Sequence, residues 1–140
     1  MELIFGASHR PGSLLLQLFT FSRWSHVGMV YGEEVIEARF PRVRVTTVAE
    51  FQAHYPRWEF AELPCADEAV AEAYARSRVG RLYDIGGLLA FPFQNRDWES
   101  SSRDFCSELP IRAAAAGGTR YVREGSLGRI TPGTLYDISY

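Results

Sequence analysis

The chain has 140 residues, of which 46% are hydrophobic and 23% are charged, and its formal net charge at pH 7 is −2. A chain of this length and composition can bury its own core, so we predict one globular domain over residues 1–140. The sequence pI is about 5.9, so the chain does not have the excess of basic residues that is typical of nucleic-acid-binding proteins. We therefore predict no nucleic-acid partner.

The cysteine and histidine positions argue against a disulfide framework and against a zinc site. The chain has only two cysteines, Cys65 and Cys106, and no pair of its His or Cys residues has zinc-site spacing. We expect no metal and no cofactor. The N-terminal residues show no signal peptide, and the apolar run 14–21 is too short to cross a bilayer. Cytoplasmic location and delivery by a phage, a secretion system or lysis stay open, as does the oligomeric state.

The first half of the chain predicts an antiparallel sheet and the second half predicts helices. Strands are predicted over residues 2–5, 24–31, 34–39, 43–48 and 58–63, with a short helix over 13–21 and one or two helical turns over 49–54. Further on, a helix is predicted over 67–79, loops over 83–93 and 95–102, a helix around Cys106, and a short element that opens at Thr131. This order indicates an α+β fold.

Cys106 lies where a polar run gives way to residues that favour a helix. We expect Ser102 or Asp104 to cap this helix and Gly117-Gly118 to end it. A cysteine at a helix start is favoured as the thiolate, because the helix dipole is positive there. Pro110 would remove a backbone hydrogen bond to the Cys106 carbonyl and distort the first turn. The alternative is a buried structural cysteine.

A tight turn at residues 32–33 predicts a hairpin that brings a histidine beside a carboxylate. Glycine at the first central position is typical of a type II′ turn. In this register Gly28 lies opposite Glu37 and His26 lies opposite Arg39. Glu37 is then the diagonal neighbour of His26 on the same face, with backbones about 7–8 Å apart. A three-residue loop would place the two side chains on opposite faces.

His26 and Glu37 together suit thiol chemistry. An imidazole can take a thiol proton, and a carboxylate on its other nitrogen fixes the tautomer and stabilises the imidazolium. We therefore expect the Cys106 helix to pack across the sheet face that carries this pair, within hydrogen-bond reach of the ring. The alternative for Glu37 is a salt bridge with Arg39 or Arg44.

Several short motifs occur in an order that resembles a known family. They are Trp-Ser-His-Val-Gly-Met-Val at 24–30, Val-Ile-Glu-Ala at 35–38, Tyr-Asp at 83–84, Phe-Cys-Ser-Glu-Leu at 105–109 and Thr-Pro-Gly at 131–133. Together they resemble the circularly permuted branch of the NlpC/P60 family of papain-like amidases, in which the histidine precedes the cysteine. The resemblance covers nearly the whole chain and implies a permuted papain-like fold, with helices packed on an antiparallel sheet. Pro110 departs from the aliphatic residue usual at its position.

The resemblance implies a cysteine hydrolase in which Cys106 is the nucleophile, His26 the base and Glu37 the orienting residue. Such an enzyme cleaves amide bonds through an acyl-enzyme, here in a peptide or acyl-amide substrate derived from peptidoglycan. Tyr83 and Ser25 are candidates for oxyanion stabilisation or substrate binding, beside the Cys106 backbone N–H. Core packing is an equal alternative for Tyr83.

Two other functions stay open. The first is a thiol-dependent acyltransferase or lipid hydrolase of the lecithin-retinol-acyltransferase type, whose members usually have a second histidine where Glu37 stands. The second is a catalytically degenerate binding module.

Overall fold

The computed structural model describes residues 1–11, 13, 22–83, 103–104, 106–123 and 130–140. The strands are β1 (Glu2–Ala7), β2 (His26–Tyr31), β3 (Glu34–Arg39), β4 (Arg42–Thr47), β5 (Arg57–Glu62), β6 (Leu82–Tyr83) and β7 (Arg103–Asp104). The helices are α1 (Val48–His54), α2 (Glu68–Ser77), α3 (Glu108–Ala116) and α4 (Pro132–Asp137). Residues 14–21 of the predicted first helix, and the predicted loops beyond residue 83 as far as 102, lie outside the described residues.

The strands form one sheet in the order β5-β1-β2-β3-β4-β6-β7. The first five strands are antiparallel to their neighbours, whereas β6 and β7 are two-residue strands that pair in parallel at one edge. Each of the five longer strands overlaps a strand predicted from the sequence. The α+β fold class and the antiparallel sheet are therefore confirmed. No helix in the described ranges combines the length and the apolar character needed to cross a bilayer.

The sheet is covered on both faces, and each face has its own buried cluster. On one face, strand residues such as Val27, Met29 and Ile36 pack with Leu109 and Ala113 of α3, and α2 and α4 belong to the same cluster. The other face is covered by α1 alone among the described helices. This division follows from the alternation of side chains along each strand.

The face under α1 is the one that holds the predicted pair. Val30 and Val35 pack there against Phe51. His26 and Glu37 share this face, because each lies an even number of residues along its strand from one of these valines. The prediction that the Cys106 helix packs across the face carrying His26 and Glu37 is therefore wrong, since α3 packs on the opposite face.

Helix starts are defined by side-chain caps at three of the four helices that the structure describes. The α1 helix opens with a capping box, in which the Thr47 hydroxyl accepts from the Glu50 N–H and the Glu50 carboxylate accepts from the Thr47 N–H, both at 3.1 Å. The Asp67 carboxylate caps α2 and the Thr131 hydroxyl caps α4, each accepting a backbone N–H at 3.0 Å. The predicted starts of α2 and α4 are therefore confirmed.

The start of α3 differs from the prediction. The helix begins at Glu108 with Ser107 as its N-cap, and neither Ser102 nor Asp104 caps it. Asp104 belongs to β7, whose pairing with β6 holds this part of the chain extended at the sheet edge. The Ser107 hydroxyl makes no cap bond, because it donates to the Ile130 carbonyl instead. Cys106 thus lies one residue before the N-cap.

Pro110 is compatible with this later start. It is the third residue of α3, and the N–H groups of the first turn have no intrahelical acceptor. The missing N–H therefore costs α3 no hydrogen bond, and the prediction that Pro110 distorts the first turn by removing a bond to the Cys106 carbonyl was wrong. The predicted end is confirmed, since the helix closes at Gly117 with the Thr119 N–H bonded to the Ala114 carbonyl at 2.8 Å.

Candidate functional site

The centre of the site is a buried ion pair between His26, the first residue of β2, and Glu37 on β3. His26 Nε2 lies 2.6 Å from Glu37 Oε2, and the two side chains are 7% and 1% exposed. The hairpin that joins the strands has the predicted two-residue turn, with Tyr31 paired to Glu34. Gly32 adopts φ +61° at the first central position, a conformation that glycine tolerates and most residues do not.

The ladder between β2 and β3 is shorter than predicted. It covers three pairs, from Tyr31–Glu34 to Met29–Ile36. Over the described strands it does not extend to the predicted pairs of Gly28 with Glu37 or His26 with Arg39. Beyond Met29 each strand keeps its pairing only with its outer neighbour, β1 or β4. The two strands therefore part at the end that carries His26.

Gly28 keeps space free beneath the ion pair. A Cβ atom at this position would lie 2.4 Å from Val35 Cγ1 and 3.6 Å from Glu37 Cβ. A side chain here would therefore push on Val35, whereas its distance from Glu37 Cβ is that of an ordinary van der Waals contact.

The buried thiol of Cys106 reaches the same imidazole. The thiol lies close enough to the His26 ring to be among the groups that raise the pKa of His26. Since Glu37 engages Nε2, the ring nitrogen that remains for the thiol is Nδ1. Cys106 precedes a helix on the opposite face, and we attribute the contact to its position at the sheet end, where β2 and β3 part.

The surroundings favour a charged histidine and a charged glutamate. Burial opposes protonation of the imidazole, but its interactions with Cys106 and Glu37 outweigh it and raise the pKa of His26 to about 9. Burial likewise opposes ionisation of Glu37, but the His26 hydrogen bond and charge, and then Arg44, lower its pKa to about 2. The site therefore holds an imidazolium and a carboxylate at neutral pH.

Arg44 supports Glu37 from the neighbouring strand. Its Nε and a terminal guanidinium nitrogen lie 2.8 Å and 2.7 Å from Glu37 Oε1. The salt bridge considered as an alternative for Glu37 therefore exists together with the His26 pair. Glu37 and Arg44 are directly opposed in the β3–β4 ladder, so the strand register was a signal for this contact.

Two aromatic rings from the end of α1 hold the imidazole. Tyr55 stacks on His26 with ring centroids 5.3 Å apart and an interplanar angle of 18°, and Phe51 stacks at 5.8 Å and 25°. Sequence analysis missed both residues. Their spacing of four, which places two side chains on one helix face, was the available signal.

Ser25 and Tyr83 have different positions relative to the site. The buried Ser25 hydroxyl donates to the Gly6 carbonyl at 3.2 Å and accepts from the Ser13 hydroxyl at 2.6 Å. These bonds fix the chain just before His26. The Tyr83 backbone lies in β6 opposite Asp104, whereas its side chain is outside the described part of the structure. Binding roles for both residues remain predictions.

Comparison with known proteins gives a structural relative. The chain is similar to the structure of the metalloprotein YiiX from Escherichia coli O157:H7, assigned to DUF1105, with a TM-score of 0.68 and 25% sequence identity. The similarity covers 87% of this chain and 68% of YiiX. No family model and no curated protein sequence matches the chain.

These comparisons correct the family identification. The structural similarity is to YiiX, and nothing in the comparisons supports membership of the NlpC/P60 family, so that identification was wrong. YiiX is described as a metalloprotein. Here, the side chains that the structure describes include no group of three or more His, Cys, Asp or Glu residues that could hold a metal ion. Glu37 in particular uses both carboxylate oxygens on His26 and Arg44.

Proposed function

We propose that this protein is a cysteine hydrolase that cleaves amide bonds through an acyl-enzyme on Cys106. The observation that carries the proposal is a buried His26 ring that is in contact with Glu37 at 2.6 Å and close enough to the Cys106 thiol for the thiol to raise its pKa. Nucleophile, base and orienting acid in this order are the parts that thiol acyl transfer requires. The same contact supports a papain-like site in which the histidine precedes the cysteine along the chain.

The proposed reaction has two halves. The Cys106 thiolate attacks the substrate carbonyl, and the His26 imidazolium gives its proton to the leaving amine as the C–N bond breaks. Neutral His26 then takes a proton from water, whose oxygen attacks the thioester; the C–S bond breaks, the acid is released, and the Cys106 thiolate and His26 imidazolium are restored. Glu37 stays ionised throughout and holds the ring through Nε2. The Cys106 backbone N–H is the proposed oxyanion donor.

The substrate follows less directly from the site. A peptidoglycan-derived amide was expected only from the family identification that the comparisons contradict. Amide hydrolysis and acyl transfer share the Cys106 thioester and differ in whether water or another acceptor attacks it. The acid at position 37, in place of a second histidine, favours hydrolysis over the lecithin-retinol-acyltransferase type of chemistry.

Reaction with iodoacetamide tests whether Cys106 is the activated thiol. Exposure alone favours Cys65, which is partly exposed, over Cys106, which is 1% exposed. We nevertheless expect Cys106 to be alkylated faster near pH 6, because a charged imidazole beside a sulfur favours the thiolate. Peptide mass mapping of timed samples separates the two rates. Preferential alkylation of Cys65 would contradict the proposal and leave a binding module as the better description.

A second experiment identifies the acyl group. The protein is incubated with peptidoglycan fragments, acyl-lipids and N-acyl amides, and mass spectrometry follows both the products and the mass of the Cys106 peptide. We expect one class to give an acyl adduct on Cys106 in wild-type protein and none in Cys106→Ala. Product formation by Cys106→Ala at the wild-type rate would exclude the thiol mechanism.

A further inference from the structure

A cluster of cations lies beside the proposed site. Arg39 Nη2 is 2.6 Å from His54 Nε2, and Arg10 Nη1 is 3.0 Å from the same nitrogen. Both guanidinium groups also reach Nδ1, at 3.2 Å. The three side chains come from separate parts of the fold, since Arg10 follows β1, Arg39 ends β3 and His54 ends α1. We call this group the Arg10–Arg39–His54 cluster.

The two arginine charges in the cluster are not neutralised by the described residues. Within the described ranges, neither Arg10 nor Arg39 forms an ion pair with a carboxylate. Glu37, two residues from Arg39 on β3, gives one oxygen to His26 and the other to Arg44. Among the side chains that the structure describes, the positive charge of the cluster therefore has no carboxylate partner.

His54 cannot take the place of an anion. Burial, followed by the charges of Arg39 and Arg10, lowers the pKa of His54, so its ring is neutral at pH 7. A neutral imidazole has one acceptor nitrogen, for which the two guanidinium groups compete. Their donors thus exceed the one acceptor that His54 offers, and like charges are held close together at a cost. A bound anion would supply further acceptors for the guanidinium N–H groups and would offset the repulsion between the two positive charges.

Tyr55 connects the cluster to the proposed site. Its ring stacks on His26 at 5.3 Å, and the His54 ring meets it edge-on at 4.8 Å. The Arg39 guanidinium carbon lies 5.9 Å from the centre of the same ring. One aromatic ring therefore separates the cations from the imidazole that contacts Cys106.

We propose that the Arg10–Arg39–His54 cluster binds an anionic group, a carboxylate or a phosphate, of the acyl substrate whose carbonyl reacts at Cys106. This inference rests on the proposed function and narrows its substrate class to acyl compounds with a negative charge near the scissile bond. Guanidinium groups suit this role, because their paired N–H donors match the oxygens of carboxylates and phosphates. The arginines would also attract such substrates before contact.

Two alkylating reagents that differ in charge test the inference without a known substrate. Iodoacetate carries a carboxylate, whereas iodoacetamide is neutral and nearly the same size. The rate of alkylation of Cys106 by iodoacetate, divided by the rate with iodoacetamide, reports anion binding. A change in the general reactivity of the thiol affects both rates and leaves this ratio unchanged. We expect Arg10→Gln and Arg39→Gln each to lower this ratio about three- to tenfold at low ionic strength.

Arg42→Gln is the matched control. Arg42 lies opposite Arg39 in the β3–β4 ladder, but its guanidinium donates to the Gly80 carbonyl at 2.8 Å. This variant removes the same charge from the same part of the sheet and should keep the wild-type ratio. An equal fall in Arg42→Gln, or an unchanged ratio in both cluster variants, would overturn the inference while the proposed function stands. If neither reagent alkylates Cys106, the proposed function falls and the inference falls with it.

Protection experiments distinguish the two sources of the anion. N-acetylglycine offers a carboxylate and glycerol 3-phosphate offers a phosphate, and either can slow alkylation of Cys106 by iodoacetamide. We expect one of them to protect wild-type protein and the Arg42→Gln control but not Arg39→Gln. The protecting compound identifies the anion that the cluster prefers. Protection by neither compound at millimolar concentration would overturn the assignment of an anion site.

Discussion

At the scale of single residues, Glu37 is the acid on which the site depends. One carboxylate oxygen serves the buried His26 and the other serves Arg44, whose side chain is 47% exposed. A carboxylate that is 1% exposed needs such partners, because burying an unpaired charge is costly. Glu37 therefore has a structural role, as the partner of Arg44, and a proposed chemical role, as the partner of His26.

Glu37→Gln should slow alkylation of Cys106 by iodoacetamide at pH 7 without unfolding the domain. The amide keeps the shape of the carboxylate but loses the charge that stabilises the imidazolium, and loss of an orienting acid can reduce turnover by as much as about 10⁴-fold. Glu34→Gln is the control, since Glu34 forms an ion pair with Arg76 on the surface of the same hairpin. Equal alkylation rates in both variants would assign Glu37 a purely structural role.

Arg44→Gln tests a positioning role for the outer partner of Glu37. Arg44 contributes to the low pKa of Glu37, so its loss should raise that pKa and move the acidic limb of the alkylation profile to higher pH. We expect a smaller effect than in Glu37→Gln, about two- to tenfold in rate. Alkylation rates from pH 3 to 8 measure it, and Arg44→Lys should restore part of the rate. A pH profile identical to that of the wild type would argue against a positioning role.

At the scale of elements, the start of α3 decides where the thiol lies. Ser107 is bonded to the Ile130 carbonyl, and β7 holds the chain before Cys106 in the sheet. These contacts, rather than a polar cap at position 102 or 104, define where the helix begins. The thiol therefore depends on segments that are distant in sequence.

The position of Pro110 in the first turn makes a prediction about stability. Pro110→Ala should change the free energy of unfolding by less than about 1 kcal/mol, because no intrahelical hydrogen bond is gained. Ala113→Pro, three residues further on, removes an interior bond and should cost about 3 kcal/mol or more. Urea denaturation followed by circular dichroism compares the two. A large gain in stability from Pro110→Ala would show that the proline strains the helix.

At the scale of the whole molecule, the charged pair links stability to pH. The pKa of His26 is raised to about 9, so between about pH 6.5 and pH 9 folded protein holds a proton that unfolded protein has released. Stability should therefore fall as pH rises through this window, by up to about 1.4 kcal/mol per pH unit. The pKa of Glu37 is lowered to about 2, so stability should also fall as pH drops from about 4.5 toward 2.

Thermal unfolding between pH 3 and pH 9 measures both slopes. His26→Gln should remove the alkaline slope, since the group that holds the extra proton is gone. His54, whose pKa is lowered, acts only below about pH 6.5 and with the opposite sign, so it does not contribute to the alkaline slope. An alkaline slope that survives in His26→Gln would place the responsible proton on another group.

The sequence by itself determined the features that depend on residues close to one another along the chain. Alternating strands, the turn at Gly32 and the helix starts at Asp67 and Thr131 depend on a few neighbouring residues, and they were predicted. The closeness of His26 and Glu37 followed from that hairpin. A family identification built from short motifs went further than this local information, and it was wrong.

Only the tertiary structure decided which sheet face α3 covers, where that helix begins, and that Arg10, Arg39 and His54 meet. Each of these features depends on packing between segments far apart in the chain. Both sheet faces carry buried apolar residues, so the order of apolar residues along a strand does not predict which helix covers which face. Arginine side chains are long and flexible, so their meeting point is set by the surrounding fold and not by their own sequence neighbours.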